Sequence, residues 1–234
     1  MAADDSLGEW PIVGGNETGL PCIAAFDFDG TLTYGDSLLP FLRFVVGRRR
    51  FWSMSLALLA GWLRYRTGRT DRSKAKEHLL RRYLGGWSVT ALQAAGQRFS
   101  SEALPRLVAP AAMDRLRAHE RAGHKVVIIS ASLELYLKPW AEAHTRDGAV
   151  LGTRLREDEG LVTGEMDGPN CVGPEKVQRL MEWAGDLDAC YLFAYGDSRG
   201  DLELLSCARE PAYRSFLRPK DRLRGYLRLL RAIV

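Results

Sequence analysis

The 234-residue sequence predicts an α/β fold: a parallel sheet covered by helices, with a helical insertion after the first strand. Three observations carry this expectation. Short apolar runs at residues 22–26, 125–129 and 190–195 each empty into small or acidic residues, as buried parallel strands do where they meet loops at one sheet edge. Helical patterns alternate with these runs from residue 111 onward, which is the texture of strand–helix–strand units. Between the first two runs, residues 36–105 show little β-branched alternation and are rich in Leu, Ala, Trp and Arg, the composition of several helices.

Taken in order, residues 1–20 are polar, Gly-rich and acidic, lack the basic start and apolar stretch of a signal peptide, and are expected to be a disordered lead-in. Asn16-Glu17-Thr18 matches a glycosylation acceptor, but nothing else suggests secretion and the match is expected to be chance. The first strand runs into Asp27, and Asp29 follows two positions on, so both carboxylates leave the sheet mouth pointing the same way. Two acids so close repel unless a cation lies between them. The spacing therefore reads as an oxygen-ligated site suited to Mg²⁺, in which one carboxylate can also be a nucleophile. D-F-D-G also fits an ordinary turn after a strand, since Asp-Gly favours turns.

Within the insertion, Phe51–Leu63 is the most apolar piece, bounded by Arg48, Arg49 and Arg50 before it and Arg64 and Arg66 after. It is shorter than the roughly 20 residues that span a bilayer. Two readings stay open, a buried helix of a small cap or a helix dipping into a lipid interface. From residue 111 the expected order is a helix to Ala122 stopped by Gly123, a strand at 125–129 ending in Ser130-Ala131-Ser132, and a helix at 133–143. A hairpin at 150–166 around Glu159-Gly160, a helix at 175–184 and a strand at 190–195 ending in Gly196-Asp197-Ser198-Arg199-Gly200-Asp201 follow. The tail places Leu223, Leu227 and Leu230 at helical spacing between arginines, which fits a solvated basic face or an anionic membrane contact. The expected organisation is a core of residues 21–35 and 106–234 with a helical cap at 36–105.

The net charge of +4 hides an asymmetry. Residues 36–105 carry 13 Lys/Arg against 4 Asp/Glu, residues 209–234 carry 8 against 2, and the rest of the chain carries 12 against 23. An acidic body with basic flanks suits a metal held by carboxylates and an anionic substrate. Cys22, Cys171, Cys190 and Cys207 are scattered with no C-x-x-C, so zinc is not expected and reduced cysteines in a cytoplasmic setting are the default. The basic residues sit in a Leu/Trp-rich insertion without a reader motif, so nucleic-acid binding is not expected.

Four pieces in this order, D-F-D-G-T-L-T, S-A-S after a strand, a lysine in G-P-E-K, and G-D-S-R-G-D after another strand, resemble the haloacid dehalogenase superfamily over residues 23–209. The resemblance implies a Rossmann-like three-layer core, Mg²⁺ and phosphoryl transfer. In its terms Asp27 is the nucleophile that forms an aspartyl-phosphate, and Asp29 is the general acid and then base. Ser130, the backbone N–H of Ala131 and the loop after Asp27 with Gly30 and Thr31 bind the phosphate, while Lys176 neutralises it. Asp197 joins Asp27 and the Asp29 carbonyl on the metal, with Asp201 in support. Read without the family, Ser130 and Ser132 fit simple helix caps, Lys176 an exposed helix start, and Gly-Asp with a second Asp a capped turn. His78, His119, His124 and His144 read as structural.

A helical insertion at this position resembles the phosphoserine phosphatase-like branch. Phosphoserine phosphatases carry Ser after the second acid, an acid seven residues beyond it and Ser-Gly-Gly in the second piece. Here Gly30, Asp36 and Ser130-Ala131-Ser132 stand there, so only Asp36 approximates the pattern. Tyr34-Gly35-Asp36-Ser37 and the run from Asn170 to Lys176 look closer to bacterial phosphatidylglycerophosphate phosphatases. The expected function is a Mg²⁺-dependent phosphatase acting on a small phosphorylated metabolite or a phospholipid head group. Peripheral membrane contact through the cap or C-terminal helix would accompany the lipid reading. The alternatives are a phosphoserine phosphatase and a catalytically silent binder at a membrane surface, and the presence of Asp27, Asp29, Lys176, Asp197 and Asp201 together argues for an enzyme.

Overall fold

The computed structural model describes residues 19–53 and 72–216. The lead-in up to residue 18, most of the apolar stretch 51–63 and the basic tail from residue 217 lie outside the described residues. Five parallel strands form the main sheet in the order β3-β2-β1-β6-β7. They are β1 (Cys22–Phe26), β2 (Lys125–Leu133), β3 (Ala149–Thr153), β6 (Tyr191–Gly196) and β7 (Glu210–Tyr213). Phe26 lies opposite both Ile128 and Tyr195, so β1 and β6 end nearly flush, while β2, expected to stop at Ile129, runs on through Ser130–Ser132 to Leu133 with a register shift after Ile129.

Side-chain alternation builds a layer on each face. Ile23, Ala25, Val127, Ile129, Leu192 and Ala194 pack on one side with Leu180 of α7 (Pro174–Ala184) and Leu204 of α8 (Leu202–Ser206). Ala24, Phe26, Val126, Ile128, Phe193 and Tyr195 pack on the other with Leu116 of α5 (Pro110–Arg121) and Trp140 of α6 (Glu134–His144). The α/β architecture read from the sequence is the one observed.

Two elements differ from expectation. Residues 149–153, read as the start of a hairpin, instead form β3 on the open edge of β2, where Val150, Gly152 and Thr153 are buried. The hairpin is confined to β4 (Leu155–Asp158) and β5 (Leu161–Met166), turning at Glu159 and Gly160, both with positive φ. β7 was not expected at all. Its Glu-Pro-Ala-Tyr sequence is short and polar, and Pro211 is tolerated because the strand is an edge.

Between β1 and α5 the chain forms α1 (Leu38–Val46), a helical stretch α2 (48–53 among the described residues), α3 (Arg72–Leu84) and α4 (Val89–Glu102). This insertion meets the core through Phe41, Phe99 and Tyr136, whose ring centroids lie 4.8–5.3 Å apart. Gly96 lets α4 approach α6 closely, since a Cβ there would sit 2.5 Å from the Leu135 carbonyl oxygen. Main-chain hydrogen bonds join the turn after α3 to the hairpin: Gly86 N–H to Val162 O (2.8 Å), Val162 N–H to Trp87 O (2.8 Å) and Val89 N–H to Gly160 O (3.0 Å).

His119 and His124, read as structural, form a buried chain with Tyr195. Their Nδ1 atoms are 2.8 Å apart, His119 Nε2 is 2.8 Å from the Tyr195 hydroxyl, and Arg115 Nε donates to that hydroxyl at 2.8 Å. Burial and the nearby Arg115 charge push the His119 pKa down to about 3. The unfolded chain, with an ordinary histidine pKa near 6.5, therefore takes up a proton that the folded chain refuses. This contribution to stability is present above pH 6.5 and is lost as the pH falls towards 3. The expected outcome is that His119→Gln gains thermal stability relative to the unsubstituted protein as the pH drops from about 6.5 to 4. A constant offset in melting temperature across that range would overturn the assignment.

Candidate active site

The site begins where β1 stops. Asp27 is 5% exposed, its N–H donates to the Tyr195 carbonyl (2.9 Å), and the chain then turns through extended Asp29 and Gly30 at φ 84°. Gly30 is required twice over. Its φ is left-handed, and a Cβ there would lie 2.6 Å from Asp197 Oδ2. The loop after the first strand is thus pressed against the acid at the end of β6.

Lys176 stands in the first turn of α7, which Pro174 initiates after Gly173. Read as a helix-start lysine it would be exposed, yet it is 2% exposed and its Nζ donates to Asp27 Oδ1 (2.6 Å) and Asp201 Oδ1 (2.5 Å). Asp201 Oδ2 accepts from Asp197 N–H (3.2 Å), Ser198 N–H (2.9 Å) and the Ser198 hydroxyl (2.8 Å), so both of its oxygens are occupied. Gly196 makes room for it, since a Cβ there would sit 2.5 Å from Asp201 Cβ. Carboxylate oxygens of Asp27, Asp197 and Asp201 lie within 4.8 Å of one another.

Burial would lower the Lys176 pKa, but the facing carboxylates of Asp27 and Asp201 reverse this and hold it above the ordinary lysine value. Asp27 is raised to about 6 because its burial outweighs the attraction of Lys176, with Asp201 adding repulsion. Asp201 is held below the ordinary value, because Lys176 and the Ser198 donors overcome its burial.

Asp29 points elsewhere. Its Oδ1 accepts the Ser37 N–H (3.1 Å) and its Oδ2 the Ser132 hydroxyl (2.5 Å), and the Ser37 hydroxyl lies 3.2 Å from Ser132 Oγ and 3.0 Å from the Tyr136 hydroxyl. Burial and the neighbouring Asp36 charge push the Asp29 pKa up to about 8 against these donors. Its side chain does not belong to the acidic trio. Ser132 corrects the sequence reading: the helix α6 begins after Leu133 without a side-chain cap, and the Ser132 hydroxyl serves Asp29 instead.

Ser130 is 1% exposed, and its hydroxyl oxygen accepts the Ser132 N–H (3.1 Å). Ser130 and Ala131 line a cavity of about 780 Å³ together with Asp27, Asp29, Gly30, Lys176, Asp197 and Asp201. Thr31 is buried beside it in sequence but does not line it, and its hydroxyl has no hydrogen-bond partner among the described residues. The other wall of the cavity comes from Tyr34, just before the insertion, and from the insertion itself: Asp36, Leu38, Leu39, Ala75, Lys76 and Leu79. Sequence reasoning missed Ser37, Tyr136 and Lys76. Tyr136 lies 99 residues from Ser37, and nothing in local pattern links them.

With this geometry, similarity to known proteins becomes informative. The sequence profile of the haloacid dehalogenase-like hydrolases matches residues 24–206, and the chain belongs to that family. It is 39% identical to protein CicA of Caulobacter vibrioides over 84% of this chain and 87% of that one. It is 31% identical to a probable phosphatase of Mycobacterium tuberculosis over 78% of this chain and 64% of the other. A crystal structure of a Bordetella pertussis protein of unknown function has the same fold, with a TM-score of 0.69 at 24% identity over 89% of this chain and 96% of that one.

Lys176→Met would leave two buried carboxylates without their shared counter-charge. Breaking a buried ion pair from one side costs about 3–5 kcal/mol. The expected loss in urea denaturation near pH 7.5, without divalent cations, is of that order. A loss under about 1 kcal/mol would show that the bridge does not stabilise the fold.

Proposed function

We propose that the chain is a Mg²⁺-dependent phosphomonoester hydrolase that works through an aspartyl-phosphate on Asp27. The observation that carries this reading is the Lys176 ammonium held between Asp27 and Asp201 at the sheet edge, where the carboxylate of Asp197 also converges on those of Asp27 and Asp201. The donor set fits a hard divalent cation, since three carboxylates converge within 4.8 Å and, among the described residues, no sulfur or imidazole joins them. Asp27 and Asp197 would hold the ion, with the Asp29 carbonyl as the family resemblance implies, and Asp201 would position the loop. When bound, Mg²⁺ would offset negative charge on the transferring phosphoryl group.

The residues divide the chemistry. Asp27 Oδ1 is engaged by Lys176, while Oδ2 accepts no hydrogen bond among the described residues and is the oxygen that attacks phosphorus. As that bond forms, the bond from phosphorus to the alcohol oxygen breaks and Asp29 gives its proton to the departing alkoxide. Water then attacks the phosphorus, Asp29 takes a proton from it, and Asp27 leaves as carboxylate with release of inorganic phosphate. The two environments suit these roles, because Asp29 near 8 keeps its proton at neutral pH while Asp27 near 6 gives up its own. Lys176 balances charge on Asp27 and the phosphoryl group, and Ser130, Ala131 and Gly30, which line the cavity, supply donors around it.

The insertion, taken as a cap over residues 36–105, supplies the wall that meets the alcohol portion. Leu38, Leu39, Ala75 and Leu79, with Tyr34 just before the insertion, make that wall largely apolar. Asp36 is exposed and its Oδ1 accepts the Leu39 N–H (3.0 Å), which makes it a helix cap rather than a reader of a substrate amine. These features favour a phosphate ester with apolar surface on its alcohol, a small metabolite or a lipid head group, over phosphoserine.

Turnover of p-nitrophenyl phosphate is expected with Mg²⁺ and is lost on chelation. Asp27→Asn should abolish it while the melting temperature survives, and substantial residual turnover would refute the covalent route. Asp29→Ala should cost far more with alkyl phosphates than with p-nitrophenyl phosphate, whose leaving group needs little protonation. Equal losses would remove Asp29 from the role of acid.

A further inference from the structure

The cavity wall contributed by α3 contains one cation, Lys76, that the reaction outlined above leaves without a role. Its Nζ donates to the Ala131 carbonyl, to Asn170 Oδ1 (2.7 Å) and to Thr153 Oγ1 (3.1 Å). The acceptors come from three different places: the irregular end of β2, the segment that leads six residues later to Lys176, and the end of β3. They are also tied to one another. Thr153 Oγ1 lies 2.8 Å from the Ala131 carbonyl oxygen and 3.0 Å from Asn170 Oδ1, and it accepts the Cys171 N–H at 3.4 Å. Thr153 and Asn170 are 1% and 7% exposed, while Ala131 and Lys76 are half-buried at the cavity wall.

A threonine hydroxyl has a single proton and can donate to only one of those two oxygens at a time. The buried Asn170 oxygen, the half-buried Ala131 carbonyl and the Thr153 hydroxyl can therefore take further donors, and the Lys76 ammonium, with three N–H bonds, reaches all of them. Lys76 fixes the direction of the Ala131 carbonyl, and with it the orientation of the peptide planes on either side. Those planes carry Ser130 and the Ala131 N–H, which present donors to a phosphoryl group. The contact also reaches the site's other loops: Gly173, between Asn170 and Lys176, donates its N–H to the Gly200 carbonyl (2.8 Å), beside Asp201.

We propose that Lys76 is a positioning residue, carried in by the helical insertion, that sets the irregular Ser130–Ser132 end of β2 for phosphate by holding the Ala131 carbonyl together with Thr153 and Asn170. The proposal rests on the phosphatase reading for its rate consequences, but the geometry it asserts is testable by binding alone. It differs from substrate recognition by Lys76, because a lysine that acts through the strand end affects every phosphate alike.

The test measures p-nitrophenyl phosphate hydrolysis and inorganic phosphate affinity, the latter by calorimetry with Mg²⁺ present, for Lys76→Met, Lys76→Arg, Thr153→Val and the Lys76→Met/Thr153→Val pair. Lys76→Met is expected to weaken phosphate binding and to lower kcat/KM by about tenfold to a hundredfold, the scale of a misplaced contact of about 1 Å. The loss should be equal for aryl and alkyl phosphates, and Lys76→Arg should recover part of it. Thr153→Val should lose in the same direction, and the double variant should lose less than the product of the two single losses, since both act on one carbonyl. Unchanged phosphate affinity in a folded Lys76→Met protein overturns the proposal, as does a loss confined to one class of alcohol. If the unsubstituted protein hydrolyses no ester, the phosphatase reading fails, while a tenfold weaker phosphate affinity in Lys76→Met still upholds the positioning role.

Discussion

One buried cation holds the arrangement together. Lys176 lies at the junction of β1, α7 and the loop after β6, with an aspartate on either side. Burying an ammonium and two carboxylates is costly in isolation, and the cost is offset only where the geometry is tight and the remaining oxygens are satisfied. The chain meets that condition with ordinary means. Flush strand ends bring Asp27 and the β6 loop level, Gly30 and Gly196 remove the side chains that would keep them apart, and Ser198 occupies the far oxygen of Asp201. The pKa of Asp201 is held down and that of Lys176 held up by the same bridge, while Asp27 rises because its burial outweighs what Lys176 returns.

Two carboxylates one residue apart have nearly identical sequence surroundings and quite different physical ones. Asp27 continues the strand direction and meets a cation, whereas Asp29 follows a change of backbone direction and meets hydroxyls and an N–H. A cation favours ionisation, while a dry pocket beside Asp36 disfavours it. The chain is extended at Asp29 and left-handed at Gly30, and across this turn the two side chains enter different surroundings.

Much of this was legible in the chain. The apolar runs before Asp27, Ser130 and Gly196 announced the three central strands, and their polar ends announced the cavity edge, because a strand buried on both faces has few other ways to read. What was illegible depended on long-range pairing. Residues 149–153 carry no signal that separates an edge strand from a hairpin arm, since the choice lies with the open edge of β2. Ser132 looked like a cap because the local rule for a serine before a helix is strong, but the competing acceptor, Asp29, is 103 residues away. Lys76 was invisible for the same reason, one of two lysines in an insertion whose other basic residues are arginines, distinguished only by the three acceptors that the fold places around it.

The seam between the insertion and the β4–β5 hairpin bears on how this molecule opens. Gly86, Trp87 and Val89 share main-chain hydrogen bonds with Gly160 and Val162, and Gly164 is so close to α3 that a Cβ would lie 2.2 Å from Arg81 Cα. Backbone bonded to backbone does not slide as side-chain contacts can. A swinging lid would have to drag the hairpin along, and the hairpin is rooted by Thr153 and the Asn170 segment in the catalytic floor. Insertion and hairpin are therefore geared, so that a movement of one is passed through shared backbone bonds to the Thr153 and Asn170 segment beneath.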